Sequence, residues 1–91
     1  MDIKQECIAV LKSKNINTQS NIDFEVNGEV MSLTLEYIID AYMQASQESQ
    51  LVFLRALQKS SNTQNDIQNF FEGMGKLLLM SHLSEKFTFE G

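Results

Sequence analysis

Ninety-one residues with a net charge of −5 and a single cysteine describe one small acidic domain, 1–91. Such a chain has no internal disulfide framework and no cysteine-rich zinc site. An apolar fraction of 43% with 21% charged residues excludes global disorder.

Charge placement excludes more. From Asn15 to Leu54 there is no Lys or Arg, and Asp23, Glu25, Glu29, Glu36, Asp40 and Glu48 give that window −6, leaving +1 for the rest. A phosphate backbone would be repelled there. No stretch approaches eighteen apolar residues, and Met1 leads into a charged amphipathic segment. The expectation is a cytoplasmic protein without a signal peptide or membrane span.

In chain order, residues 2–14 predict a helix, because Ile3, Cys7, Val10 and Leu11 fall on one stripe. Lys12 and Lys14 close it at the negative end of the helix dipole. The polar run 15–21 then breaks the period and reads as a loop. From Ile22 to Leu33 apolar and polar residues alternate around Asn27-Gly28, the pair that suits a two-residue type I′ turn. That turn sets Val26 opposite Glu29, Glu25 opposite Val30 and Phe24 opposite Met31. One face then holds Ile22, Phe24, Val26, Met31 and Leu33, with Glu29 at the tip. The other holds Asp23, Glu25, Val30 and Ser32. An isolated hairpin is marginal, so the apolar face must dock on helices.

A second helix follows, capped by Ser32 or Thr34. Leu35, Ile38, Ile39, Tyr42 and Met43 form its stripe, and Glu36, Asp40, Gln44 and Gln47 its polar face. Ser46 caps a third helix over about 47–59. Leu51, Val52, Phe53, Leu54, Ala56 and Leu57 leave only the side of Arg55, Gln58 and Lys59 for water, which predicts a central position in the core. Thr63 and Asp66 resemble a capping box for a fourth helix, read over 66–83. Its stripe is Ile67, Phe70, Phe71, Met74, Leu77 and Leu78, while Leu79, Met80 and Leu83 fall on the opposite side. Gly73 and Gly75 within that helix predict a kink or a close contact. The tail from Lys86 to Gly91 alternates, which fits either a short strand added to the hairpin or a frayed end.

The fold class that follows is α+β, predominantly helical: four helices with one hairpin between the first and second, and a C-terminal strand allowed by the tail.

Catalytic chemistry finds little support. Cys7 lies in an apolar stripe and reads as core, with no basic cluster to lower its pKa. His82 sits near a helix end. One histidine and one cysteine at this spacing make no metal site. The pairs Asp23/Glu25 and Glu36/Asp40 lie on faces expected to be solvated, where carboxylates serve solubility before they serve acid–base work. Gly73-Met74-Gly75 lacks the preceding strand and further glycine of a dinucleotide loop. The second and third helices form no convincing helix-turn-helix, since Arg55 and Lys59 are the only bases on the would-be recognition helix.

The expectation is therefore a non-enzymatic binding or regulatory module with no cofactor, no metal, and no direct contact with nucleic acid or membrane. Its protein partner would present a basic surface to an acidic face of Asp23, Glu25, Glu29, Glu36, Asp40 and Glu48. Size and charge match small inhibitors of phage or mobile-element type that occupy nucleic-acid-binding sites. The rival expectation is a structural or adaptor homodimer joined through Leu79, Met80, Leu83 and Phe87. Packing of the first helix over that face is the alternative within one chain.

Overall fold

The structure, a computed structural model, describes residues 2–90, with side chains for all of these except Val26 and residues 81–90. Its elements run α1 (Ile3–Ser13), β1 (Asn21–Val26), β2 (Glu29–Thr34), α2 (Leu35–Tyr42), α3 (Gln47–Lys59) and α4 (Gln64–Glu90). Four helices and an antiparallel hairpin between α1 and α2 make the fold α+β and mainly helical. The segment from Lys86 to Phe89, where alternation allowed a strand, belongs to α4. Alternation is only a local signal, and α4 continues through it.

Each helix before α4 starts on a side-chain cap. Asp2 accepts the Gln5 N–H, Thr34 the Tyr37 N–H, and Ser46 the Ser49 N–H. Thr63 plays the same part for α4, accepting the Asp66 N–H at 3.1 Å. The end of α1 is a Schellman motif. Asn15 sits at φ 58°, its N–H donates to the Lys12 carbonyl, and the Ile16 N–H donates to the Leu11 carbonyl at 3.0 Å. Ile16, read from sequence as part of a polar loop, folds back against the core. The loop then serves α2: Leu35 and Glu36 donate their N–H groups to the Ser20 and Thr18 carbonyls, both at 3.0 Å. Those are two of the donors that a helix N-terminus leaves without an internal partner.

The hairpin has the predicted register, from Asn21↔Thr34 to Val26↔Glu29. Asn27 at φ 53° and Gly28 at φ 82° supply the two positive φ angles that a type I′ turn demands. Ile22 and Phe24 are buried and Leu33 is half-buried, but Met31 on the same face is 41% exposed. Support from the helices therefore fades toward the turn.

One core joins all elements. Cys7 and Leu11 of α1, Ile38 and Ile39 of α2, Leu57 of α3, and Ile67 and Phe71 of α4 are fully enclosed. Tyr42 stacks on Phe53 with centroids 4.7 Å apart, and Phe53 meets Phe70 and Phe71 at 5.4 and 6.2 Å. The Tyr42 hydroxyl donates to the Met74 carbonyl at 2.7 Å, tying α2 to α4.

Two helices pack differently from expectation. α3 is not central: Phe53, Leu54 and Leu57 are buried, but Val52 is 63% exposed. α1 lies against α3 and α2, so one side of α3 is covered and the other left open. On α4 the buried row is Ile67, Phe71, Gly75 and Leu79, at intervals of four. This corrects the predicted stripe at two positions. Leu77, placed in the core, is 59% exposed, and Leu79, placed on an outer face, belongs to the core. Rows of spacing four rotate slowly round a helix, and the buried side of α4 rotates with them as its neighbours change. α2 and β1 pack against it, and α3 meets it through Phe53. Gly75 marks the contact with β1: a Cβ there would stand 2.8 Å from Cε1 of Phe24, inside contact distance. The radius of gyration, 13.7 Å, exceeds the roughly 12 Å of a compact chain this long, and the longest dimension is 44 Å, close to the length of about 40 Å that α4 has at 1.5 Å per residue.

Candidate binding surface

The acidic window does not fold into one uniform face. Asp23 and Glu25 lie on the outer side of β1, and Glu29 opens β2 beside the turn; all three are exposed. The Ser32 hydroxyl donates to Asp23 Oδ1 across the strands, which fixes that carboxylate in the sheet. Glu48 is exposed in the first turn of α3, near the positive end of the helix dipole.

Glu36 and Asp40, one turn apart on α2, already have a cation. Lys4 of α1, from outside the base-free window, brings Nζ to 2.8 Å from Asp40 and 3.8 Å from Glu36. The hydrogen bond to Asp40 raises the pKa of the Lys4 ammonium; desolvation opposes it, and the charges of Asp40, Glu36 and Asp2 add to the rise. Glu36 also accepts from the Gln19 side-chain amide at 2.5 Å. Among the described residues, Asp23, Glu25, Glu29 and Glu48 have no ion pair. Three of the four acids in the window that lack an ion pair among the described residues, Asp23, Glu25 and Glu29, are thus on the hairpin. Sequence reasoning missed Lys4, because nothing local places the polar side of α1 opposite α2; only the packing of the two helices does.

The hairpin also has open edges. Its loop has two residues, so Val26 and Glu29 form a hydrogen-bonded pair, as do Phe24 with Met31 and Ile22 with Leu33. The N–H and C=O groups of Val30 and Ser32 consequently point away from β1. Neither residue takes part in the backbone bonds made outside helices and strands. Glu29, Val30, Met31 and Ser32 are all exposed, Val30 at 71%.

The proposed oligomer face is broken up. Leu79 is core, Met80 is 61% exposed, and the side chains of Leu83 and Phe87 lie outside the described residues. The exposed apolar positions on this part of α4 are Leu77 and Met80, three apart and so on one side of the helix. Gly73 precedes them with nothing within 4 Å of the place its Cβ would take.

Nucleophilic chemistry gains nothing from the geometry. The Cys7 thiol is fully enclosed and its pKa is pushed up to about 11, first by burial and then by the charge of Glu6. A thiol held protonated in the core is a poor nucleophile. The side chain of His82 lies outside the described residues. No group of three His, Cys, Asp or Glu among the described residues is arranged to hold a metal ion. A cleft of about 690 Å³ beside the start of α1 pairs Asp2 and Lys4 with Ile3, Met43, Gln47 and Gln50, and contains no nucleophile. A groove of about 330 Å³ is lined by Glu48, Val52, Phe53 and Ala56 of α3 with Tyr42 of α2 and Met74 of α4. The Tyr42 hydroxyl is held there as a hydrogen-bond donor, and burial raises its pKa. Among the described residues no helix is long and apolar enough to cross a membrane. Comparison with protein-family models, curated proteins and solved structures finds no match to this chain.

Proposed function

We propose that this chain is a non-catalytic binding module that engages a protein partner through the acidic outer side of its hairpin. One observation carries the reading. Asp23, Glu25 and Glu29 crowd one exposed hairpin without a cation among the described residues, whereas Glu36 and Asp40 are answered by Lys4. Clustered like charge on the hairpin accelerates encounter with a basic surface and repels other acidic proteins. A basic surface that ordinarily holds a nucleic acid is the target this charge suits, and covering it would make the module an inhibitor of phage or mobile-element type. The test is affinity capture with wild type and with Asp23→Lys/Glu25→Lys, read by mass spectrometry. Wild type should retain a basic protein that is released by 0.5 M salt (about a 4 Å Debye length) and displaced by duplex DNA. Retention of the same protein by the reversed variant would end the proposal.

A second reading is favoured by Leu77 and Met80, both exposed on one side of α4. It is a homodimer joined along that side rather than through Leu79. Sedimentation of wild type against Leu77→Glu/Met80→Glu decides it: a dimer that becomes a folded monomer supports this reading, and a monomeric wild type rejects it.

A further inference from the structure

We infer that the partner segment bound at the hairpin is an extended basic strand that pairs with the free edge of β2 and extends the hairpin to three strands. The inference rests on the proposed acidic binding function and gives it a geometry. β2 carries an open row of hydrogen-bonding groups at Val30 and Ser32, and its register contains no bulge that would twist the edge away. Proteins usually blunt such edges with charge, proline or a covering element. Between the turn and Leu33, β2 has only Glu29 at its tip, and four consecutive exposed residues. α4 contacts β1 through the inner-face Phe24, and α2 contacts β2. β2 is preferred because its exposed side chains include the apolar Val30 and Met31, whereas those of β1 include the acidic Asp23 and Glu25.

Side-chain chemistry sets the pattern of the added strand. Val30 on the outer face and Met31 on the inner face are both exposed apolar groups, at 71% and 41%. A strand laid beside β2 covers part of each. Its outward side chains lie next to Val30 and Ser32, about 5 Å away, and about 10 Å from Asp23 and Glu25 on β1. Lysine or arginine spans that distance together with a glutamate or aspartate, whereas a short side chain does not. The fitting segment therefore alternates, with long cations outward and aliphatic residues inward. Main-chain pairing supplies affinity and the alternating side chains supply selectivity. A second copy of this chain pairing edge to edge is disfavoured, because each copy has a charge of −5 and both acidic faces would lie on one sheet.

The probe is a ten-residue peptide alternating lysine and valine, with three controls: the same peptide N-methylated at every second residue, its glutamate–valine counterpart, and a Lys₅Val₅ block peptide. Binding is read by amide chemical shifts and hydrogen exchange in the full chain. The alternating peptide should slow exchange at the Val30 and Ser32 amides. N-methylation, the block order and Val30→Pro should each weaken binding about tenfold, equivalent to 1.4 kcal/mol. Proline is tolerated at this position because the Val30 N–H faces outward, and intact Phe24–Met31 cross-strand signals would show that the hairpin persists. Asp23→Lys/Glu25→Lys should transfer preference to the glutamate–valine peptide. Equal binding of the methylated peptide, protection at Asp23 and Glu25 instead, or protection at Val30 and Ser32 from self-association alone would each overturn strand addition. Of these, charge-dependent binding without edge protection leaves the acidic binding function standing. Absence of binding by every peptide overturns the strand and, together with failure of affinity capture, the function as well.

Discussion

Two glycines two residues apart on α4 have opposite meanings, and the structure separates them. Gly75 faces the Phe24 ring with no room for a Cβ, while Gly73 faces open space. Gly75→Ala should cost about 1–3 kcal/mol through overpacking, exceeding any gain in helix propensity. Gly73→Ala should stabilise by about 0.5–1 kcal/mol. Urea unfolding of the two variants measures both signs. Cys7 makes a second test at this scale. Its folded-state pKa is raised from 9.0 to about 11, so the thiol form is favoured by folding. That contribution is complete below pH 9 and is lost as pH rises through 9 to 11, because the unfolded chain ionises first. Wild type should therefore lose stability over this interval relative to Cys7→Ala, and native Cys7 should react with thiol reagents only at the rate of opening.

At the scale of elements, local chemistry and long-range packing contribute differently. The Asn27-Gly28 turn and the caps at Thr34, Ser46 and Thr63 depend on a few adjacent residues and were readable in the sequence, whereas the Asp2 cap of α1 was not picked out there. The α1 terminus was less legible. Its Asn15 in the left-handed region is a local choice, but Ile16 turns inward only because a core is there to receive it. Asn15→Gly should leave stability unchanged or slightly higher, whereas Asn15→Ala should cost about 1 kcal/mol, since alanine resists positive φ. Thermal unfolding read by circular dichroism compares them. The misplacement of Leu77 and Leu79 has the same origin. A fixed 100° projection assumes one neighbour along the whole helix, but α4 packs on α2 and β1, and its buried row shifts by intervals of four. α3 shows the converse error: a helix apolar nearly all round still has an open side at Val52.

Across the whole molecule, the distribution of charge is the result of assembly. Lys4 reaches Asp40 and Glu36 only because α1 and α2 pack side by side, and among the described residues this leaves Asp23, Glu25 and Glu29 of the hairpin without an ion pair. Glu36→Gln/Asp40→Gln should therefore change the affinity for a basic partner less than threefold, while Asp23→Asn/Glu25→Asn weakens it by at least tenfold, or about 1.4 kcal/mol. Titration calorimetry with the lysine–valine peptide compares the two pairs, and a larger loss from the α2 pair would move the site away from the hairpin.

By itself the sequence determined the number and order of the helices, the hairpin with its turn and register, and the excess of acid in the window 15–54. Those features follow from period, capping and turn chemistry, which act over a few residues. Only the tertiary structure decided which of the described acids receive a cation, and whether Leu77 or Leu79 enters the core. Each of those depends on what a distant segment brings alongside, and no local pattern carries that information.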